Sequence, residues 1–243
     1  MNKEQSFNLV KKRIRREDYL KNNRIHWFSS KLSPYFSYFF IRLKLSADQV
    51  TILFFVTGFA GALISISASV LAYFSTYLLW RLHIIIDMSD GDVARFNQSF
   101  SHRGKYWDSL IHSVLNPLYS LLIPVGIYFK TNDLIFLFLA VLLMFSQHIL
   151  LASKYNFHTD QNTTKVYINN TIQPDSIKRK ILNFLSEVLG MEGYILTTII
   201  LSSLGFLNGL KIILSVYVLA NFGVALVKIY QLSYYKKTFS RLD

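Results

Sequence analysis

The sequence predicts an all-α membrane protein: six transmembrane helices preceded by an interfacial amphipathic helix, with both termini cytoplasmic. Three observations carry this expectation. Hydrophobic residues make up 52% of the 243 residues and charged residues only 16%, against about a quarter charged in soluble domains. The apolar residues gather into six stretches near the ~20 residues that cross a hydrocarbon core as a helix. The 26 basic residues fall mostly on one side of those stretches, as the positive-inside pattern requires.

In chain order, residues 1–48 form a basic cytoplasmic segment, with Lys11, Lys12, Arg13, Arg15 and Arg16 ahead of any long apolar run. Such a lead is far too long for the charged start of a cleavable signal peptide. Within it, residues 29–45 are rich in Tyr and Phe, with Pro34 near the start and scattered lysines. That composition suits a helix lying in the membrane interface. Residues 49–232 then hold the six spans, near 50–72, 73–93, 106–128, 134–152, 194–207 and 210–230, and 233–243 form a cytoplasmic tail. With the N-terminus inside, all basic residues except Arg81, Lys130 and Lys211 reach the cytoplasmic side. Residues 155–171 read as a polar loop. Residues 177–189, bounded by Pro174 and Gly190, have apolar positions at helical spacing and read as a second surface helix. The expected setting is a bacterial inner (cell) membrane, with the charged part of the spans facing the cytoplasm.

The composition also excludes chemistries. The absence of cysteine removes disulfides, thiol nucleophiles and cysteine-ligated zinc. The net charge of +12 suits anionic headgroups beside the spans; no nucleic-acid module accompanies it, so no nucleic-acid partner is expected.

Chemistry is concentrated in residues 87–112, DMSDGDVARFNQSFSHRGKYWDSLIH. Ionisable groups inside a spanning helix are costly and mark sites. On a wheel of about 100° per residue, Asp90 lies about 60° to one side of Asp87, Gly91 about 40° to the other and Ala94 about 20° away. One face thus carries two carboxylates and two nearly side-chain-free positions, with Arg95 at its edge. Asp108 and His112, four residues apart, share a face of the following helix, and Gly104 permits a close approach where that helix begins. Three hard oxygen donors suit Mg²⁺ or Mn²⁺, the small residues leave room for a nucleotide, and the arginine can grip a diphosphate. Asp92 points about 140° away from Asp87 and reads as a solvated or interfacial acid. His83, a turn below Asp87, reads as a hydrogen-bonded structural residue, and Gly58 with Ala62 as a close-packing pair.

This pattern resembles the signature of the CDP-alcohol phosphotransferase (CDP-alcohol phosphatidyltransferase) family, D-x2-D-G-x2-A-R-x8-G-x3-D-x3-D. Asp87, Asp90, Gly91, Ala94, Arg95, Gly104 and Asp108 stand at matching spacing, and His112 replaces the final aspartate. Residues 46–51 (SADQVT) resemble the family's P-N-x-x-T start of the first span, with Ala47-Asp48 in place of Pro-Asn. The resemblance implies transfer of a substituted phosphate from a CDP-linked alcohol or lipid donor to an acceptor hydroxyl, with release of CMP, in phospholipid or related lipid or glycan biosynthesis. It implies two Mg²⁺ or Mn²⁺ ions held by Asp87, Asp90 and Asp108 with His112. Nucleotide or diphosphate contacts are implied at Asp48, Thr51, Gly91, Ala94, Arg95, Ser101 and Gly104, and a homodimer among membrane lipids.

His112 admits three readings: the general base that takes the acceptor's proton, a ligand that keeps one metal ion and weakens the other, or the mark of an inactive protein that binds lipid or nucleotide. A membrane prenyltransferase would need a second aspartate cluster in the later spans, where none stands. A transporter of this kind would show a repeat, and the sequence has none.

Overall fold

Ser46 starts the first long helix by a reciprocal cap. Its hydroxyl accepts the Gln49 N–H at 3.2 Å, and the Gln49 side-chain oxygen accepts the Ser46 N–H at 2.9 Å, satisfying two orphan donors at once. The computed structural model describes residues 7–14, 27–99, 102–164 and 190–239. Their helices are α1 (Phe7–Ile14), α2 (Trp27–Arg42), α3 (Ala47–Ile64), α4 (Val70–Asn97), α5 (His102–Thr131), α6 (Leu134–Thr164), α7 (Met191–Ser203) and α8 (Leu207–Phe239), with one 3₁₀ turn at Ser65–Ser67. No strand occurs among the described residues. The surface helix expected over 177–189 lies outside them.

Among the described residues, four segments are long and apolar enough to cross a membrane: Ala47–Ser67, Tyr106–Thr131, Leu134–Ser153 and Leu207–Gln231. The other two expected spans are also helical but fall outside that class. Helix α4 carries Arg81, Asp87, Asp90, Asp92 and Arg95. Helix α7 has 13 residues, about 20 Å at the rise of an α-helix, against a hydrocarbon core of about 30 Å.

Two boundaries differ from the sequence reading. The first apolar stretch does not run to residue 72. It breaks at Ser65–Ser67, where Ala68 adopts a left-handed φ of 49°, because three serines within five residues offer competing side-chain hydrogen bonds. Residues 155–164, expected as loop, continue α6: polarity alone does not end a helix that lacks a proline or glycine stop.

The chain divides into two compact units, residues 1–65 with 71–115 and residues 66–70 with 116–243. In the first, α1 packs on α2, with Phe7 stacked on Tyr35 at 4.8 Å, and its Val10 and Ile14 are buried. The serines of α2 at 29, 33 and 37 are buried, while Tyr35 and Phe39 are exposed. In the second unit, α8 packs on α6 and α7. Asn221 donates to Ser146 Oγ at 3.1 Å, and Tyr194 donates to the Ser120 carbonyl at 3.3 Å. Asp133 and Lys211 form an ion pair.

Candidate functional site

Helices α3, α4 and α5 bring the first unit's ionisable residues together. Asp87 on α4 and Asp108 and His112 on α5 each present a ligand atom within 4.8 Å of the others. The His112 Nε2 lies 3.6 Å from Asp87 Oδ2 and 3.4 Å from Asp108 Oδ1. The i, i+4 spacing on α5 stacks Asp108 and His112 on one face, which turns towards the carboxylate face of α4. The three side chains are 25–47% exposed, so a ligand can reach them. Donors about 2.1 Å from one Mg²⁺ or Mn²⁺ stand roughly 3.0 Å apart when adjacent and 4.2 Å when opposite. The separations of 3.4 and 3.6 Å fall between those limits, and two carboxylates with one imidazole are a donor set for a divalent cation.

Asp90 stands outside that triad. Its Oδ2 lies 2.9 Å from the hydroxyl of Thr51 on α3, which also stands 3.0 Å from the Ala47 carbonyl. Thr51 thus fastens the start of α3 to the motif. Asp48, exposed on the first turn of α3, and Thr51 also line an apolar cleft of about 300 Å³ with Phe55, Arg103, Trp107 and Leu110. Gly91, Ala94 and Gly104 are half-buried. A methyl added at Gly91 would meet the Arg95 guanidinium at 3.5 Å, an ordinary contact, so local crowding does not require glycine there. Ser101 lies outside the described residues.

Arg95 is paired in a way the sequence did not suggest. Its Nη2 forms an ion pair with Asp92 Oδ1, and its Nε–H has no hydrogen-bond partner among the described residues. Asp92 is no solvated acid: it is 8% exposed, and its Oδ2 accepts from Ser33 and Ser37 of α2, both at 2.9 Å. The wheel placed Asp92 correctly, away from Asp87; what covers that side is the serine face of α2. Serines four residues apart at 29, 33 and 37 are the signal that could have found it.

His83 is fully buried. Its Nδ1 lies 3.0 Å from the Phe54 carbonyl, which can only accept, so the proton sits on Nδ1 and Nε2 is left without a partner among the described residues. The ring stacks on Phe54 at 4.5 Å and stands edge-on to His112 at 6.0 Å. Gly58 makes room for it: a methyl there would come within 2.5 Å of Leu115 Cδ1 and 2.6 Å of His83 Nδ1.

A family comparison decides what this constellation belongs to. The model of the CDP-alcohol phosphatidyltransferase family matches residues 45–219, from the cap of α3 into α8. The chain belongs to the CDP-alcohol phosphatidyltransferase family. A comparison with curated proteins found no match. Family membership implies phosphotransfer from a CDP-alcohol, and the matched stretch contains Asp87, Asp90, Asp108 and His112.

Proposed function

We propose that the chain transfers a substituted phosphate from a CDP-linked alcohol or lipid donor to an acceptor hydroxyl, releasing CMP, in lipid or glycan biosynthesis. The observation that carries this reading is the convergence of Asp87, Asp108 and His112 within 4.8 Å, inside the segment that matches the family. Asp87, Asp90 and Asp108 would hold two Mg²⁺ or Mn²⁺ ions, which when bound would polarise the diphosphate and stabilise the attacking and departing oxygens; His112 would complete that ligand set only where it is not the base. The acceptor oxygen bonds to the donor's β-phosphorus, and the bond from that phosphorus to the oxygen of CMP breaks. His112 takes the acceptor's proton at Nε2, where two flanking carboxylates can accept the resulting N–H. Arg95 would grip the diphosphate, and Asp48, Thr51, Gly91, Ala94, Ser101 and Gly104 would contact the nucleotide or diphosphate, as the family pattern implies.

The same reading sets the chain in a bacterial inner membrane as six spans, with α4 and α7 completing the four apolar segments. The termini and the active site face the cytoplasm, α2 lies in the interface, and two copies associate. Helix α4 can cross despite its charges because a site lined by partnered polar groups supplies what lipid does not.

The test is CMP release by purified protein in detergent or nanodiscs, with a panel of CDP-linked donors and hydroxyl acceptors, after chelation and after return of Mn²⁺ or Mg²⁺. Release that needs acceptor, stops on chelation and returns with metal supports the reading. Binding of CDP with no release from any donor would instead favour an inactive nucleotide-binding protein.

A further inference from the structure

The network around Asp92 does more than hold two helices together. The two carboxylate oxygens are divided between two tasks. Oδ2 accepts the hydroxyls of Ser33 and Ser37 from α2, and Oδ1 takes Nη2 of Arg95 one turn further along α4. The Ser89 hydroxyl adds a contact of 3.3 Å to the Ser33 carbonyl, so α4 meets the same stretch of α2 at two places. Asp92 is buried and Arg95 is 18% exposed at its side chain. An arginine held by one nitrogen keeps its remaining N–H groups in a fixed fork. Without Asp92 that side chain has several rotatable bonds to freeze on binding, which costs affinity.

We propose that Asp92 is a positioning residue that presents the Arg95 guanidinium to the donor's diphosphate, and that α2 sets its orientation through Ser33 and Ser37. This rests on the reading of Arg95 as a diphosphate ligand. It makes α2 part of the binding site without touching the nucleotide. Displacing α2, or removing its hydroxyls, changes nucleotide affinity through Asp92.

The experiment is a double-mutant cycle read by calorimetric CDP binding to wild type, Asp92→Asn, Arg95→Ala and the double variant. Donor KM and kcat for CMP release are measured in parallel. Asp92→Asn keeps the shape and the serine contacts while removing the charge. It is expected to weaken CDP binding about tenfold and to raise donor KM with kcat changed less than about threefold, the loss of roughly one charge-assisted hydrogen bond. Placed on Arg95→Ala, it is expected to cost nothing further. Ser33→Ala combined with Ser37→Ala, which leaves both charges in place, is expected to weaken CDP binding in the same direction by a few-fold; it serves also if Asp92→Asn fails to fold.

Unchanged or tighter CDP binding in Asp92→Asn, or an equal loss with and without Arg95, would overturn the proposal, because a purely structural role adds independently of Arg95. A wild type that shows the coupling in CDP affinity yet releases no CMP from any donor would contradict the transferase reading and leave the positioning role standing. Metal-dependent CMP release with no coupling would do the reverse.

Discussion

The His112 Nε2 lies 3.6 Å from Asp87 and 3.4 Å from Asp108, and one nitrogen cannot hold a proton and a metal ion together. If it is the base, His112→Ala is expected to lower kcat for CMP release by about 10² to 10⁴, the usual worth of a positioned acid–base group, with Mn²⁺ affinity changed little. If it is a ligand, the same variant weakens Mn²⁺ binding, and His112→Asp shifts the preference towards Mg²⁺, which favours oxygen over imidazole; metal titrations separate the two. Gly58 belongs to the same scale. Gly58→Ala forces a methyl against Leu115 and His83 and is expected to lower stability by about 1–3 kcal/mol, seen as an earlier thermal unfolding transition in detergent. An unaltered midpoint would mean that His83 is free to move. The site's carboxylates were legible because a charge set inside an apolar helix is costly and marks a site. Asp92 did not disclose its partners Ser33 and Ser37, because they stand more than fifty residues away on α2.

Among the elements, the ends of helices were the hardest to read and the easiest to test. The start of α3 was visible in SADQVT, where Ser46 and Gln49 make their reciprocal cap. The break after it was not, because Ser65, Ser67 and Ser69 interrupt an apolar run without a proline or glycine. At the start of α6, the Asp133 carboxylate accepts the Ile135 N–H at 3.1 Å and pairs with Lys211. The hydrogen bond from Lys211, aided by that of the Ile135 N–H, holds its carboxyl below the ordinary value of 3.8. A depressed carboxylate stabilises the fold above its ordinary value and loses that contribution as pH falls through the lowered one. The acid limb of unfolding in Asp133→Asn should therefore be less steep below about pH 4 than in wild type, with a small difference at neutral pH because solvent screens the pair. Identical acid limbs would show that the pair contributes nothing.

At the scale of the whole chain, the apolar pattern announced a membrane protein, and among the described residues four segments satisfy it by length and composition. The two that do not are the ones that depart from plain apolar sequence: α4 because the motif occupies it, α7 because it is short. Their crossing is a topological claim, and a chain without cysteine lends itself to testing it. Ser67→Cys, between α3 and α4, should react with a membrane-impermeant thiol reagent in intact cells. Ser99→Cys, after α4, should react only once the membrane is opened. Labelling of both from outside would remove α4 from the spans.

The central claim is that Asp87, Asp108 and His112 form the centre of a metal-dependent transfer from a CDP-linked donor. Its most direct test is the initial rate of CMP release at saturating Mn²⁺ by wild type and Asp108→Asn, with correct folding checked by helical content. Loss of one carboxylate from the triad is expected to lower the rate at least about a hundredfold, since metal clamps supply several kcal/mol to the transition state. A folded Asp108→Asn that releases CMP as fast as wild type would contradict the account.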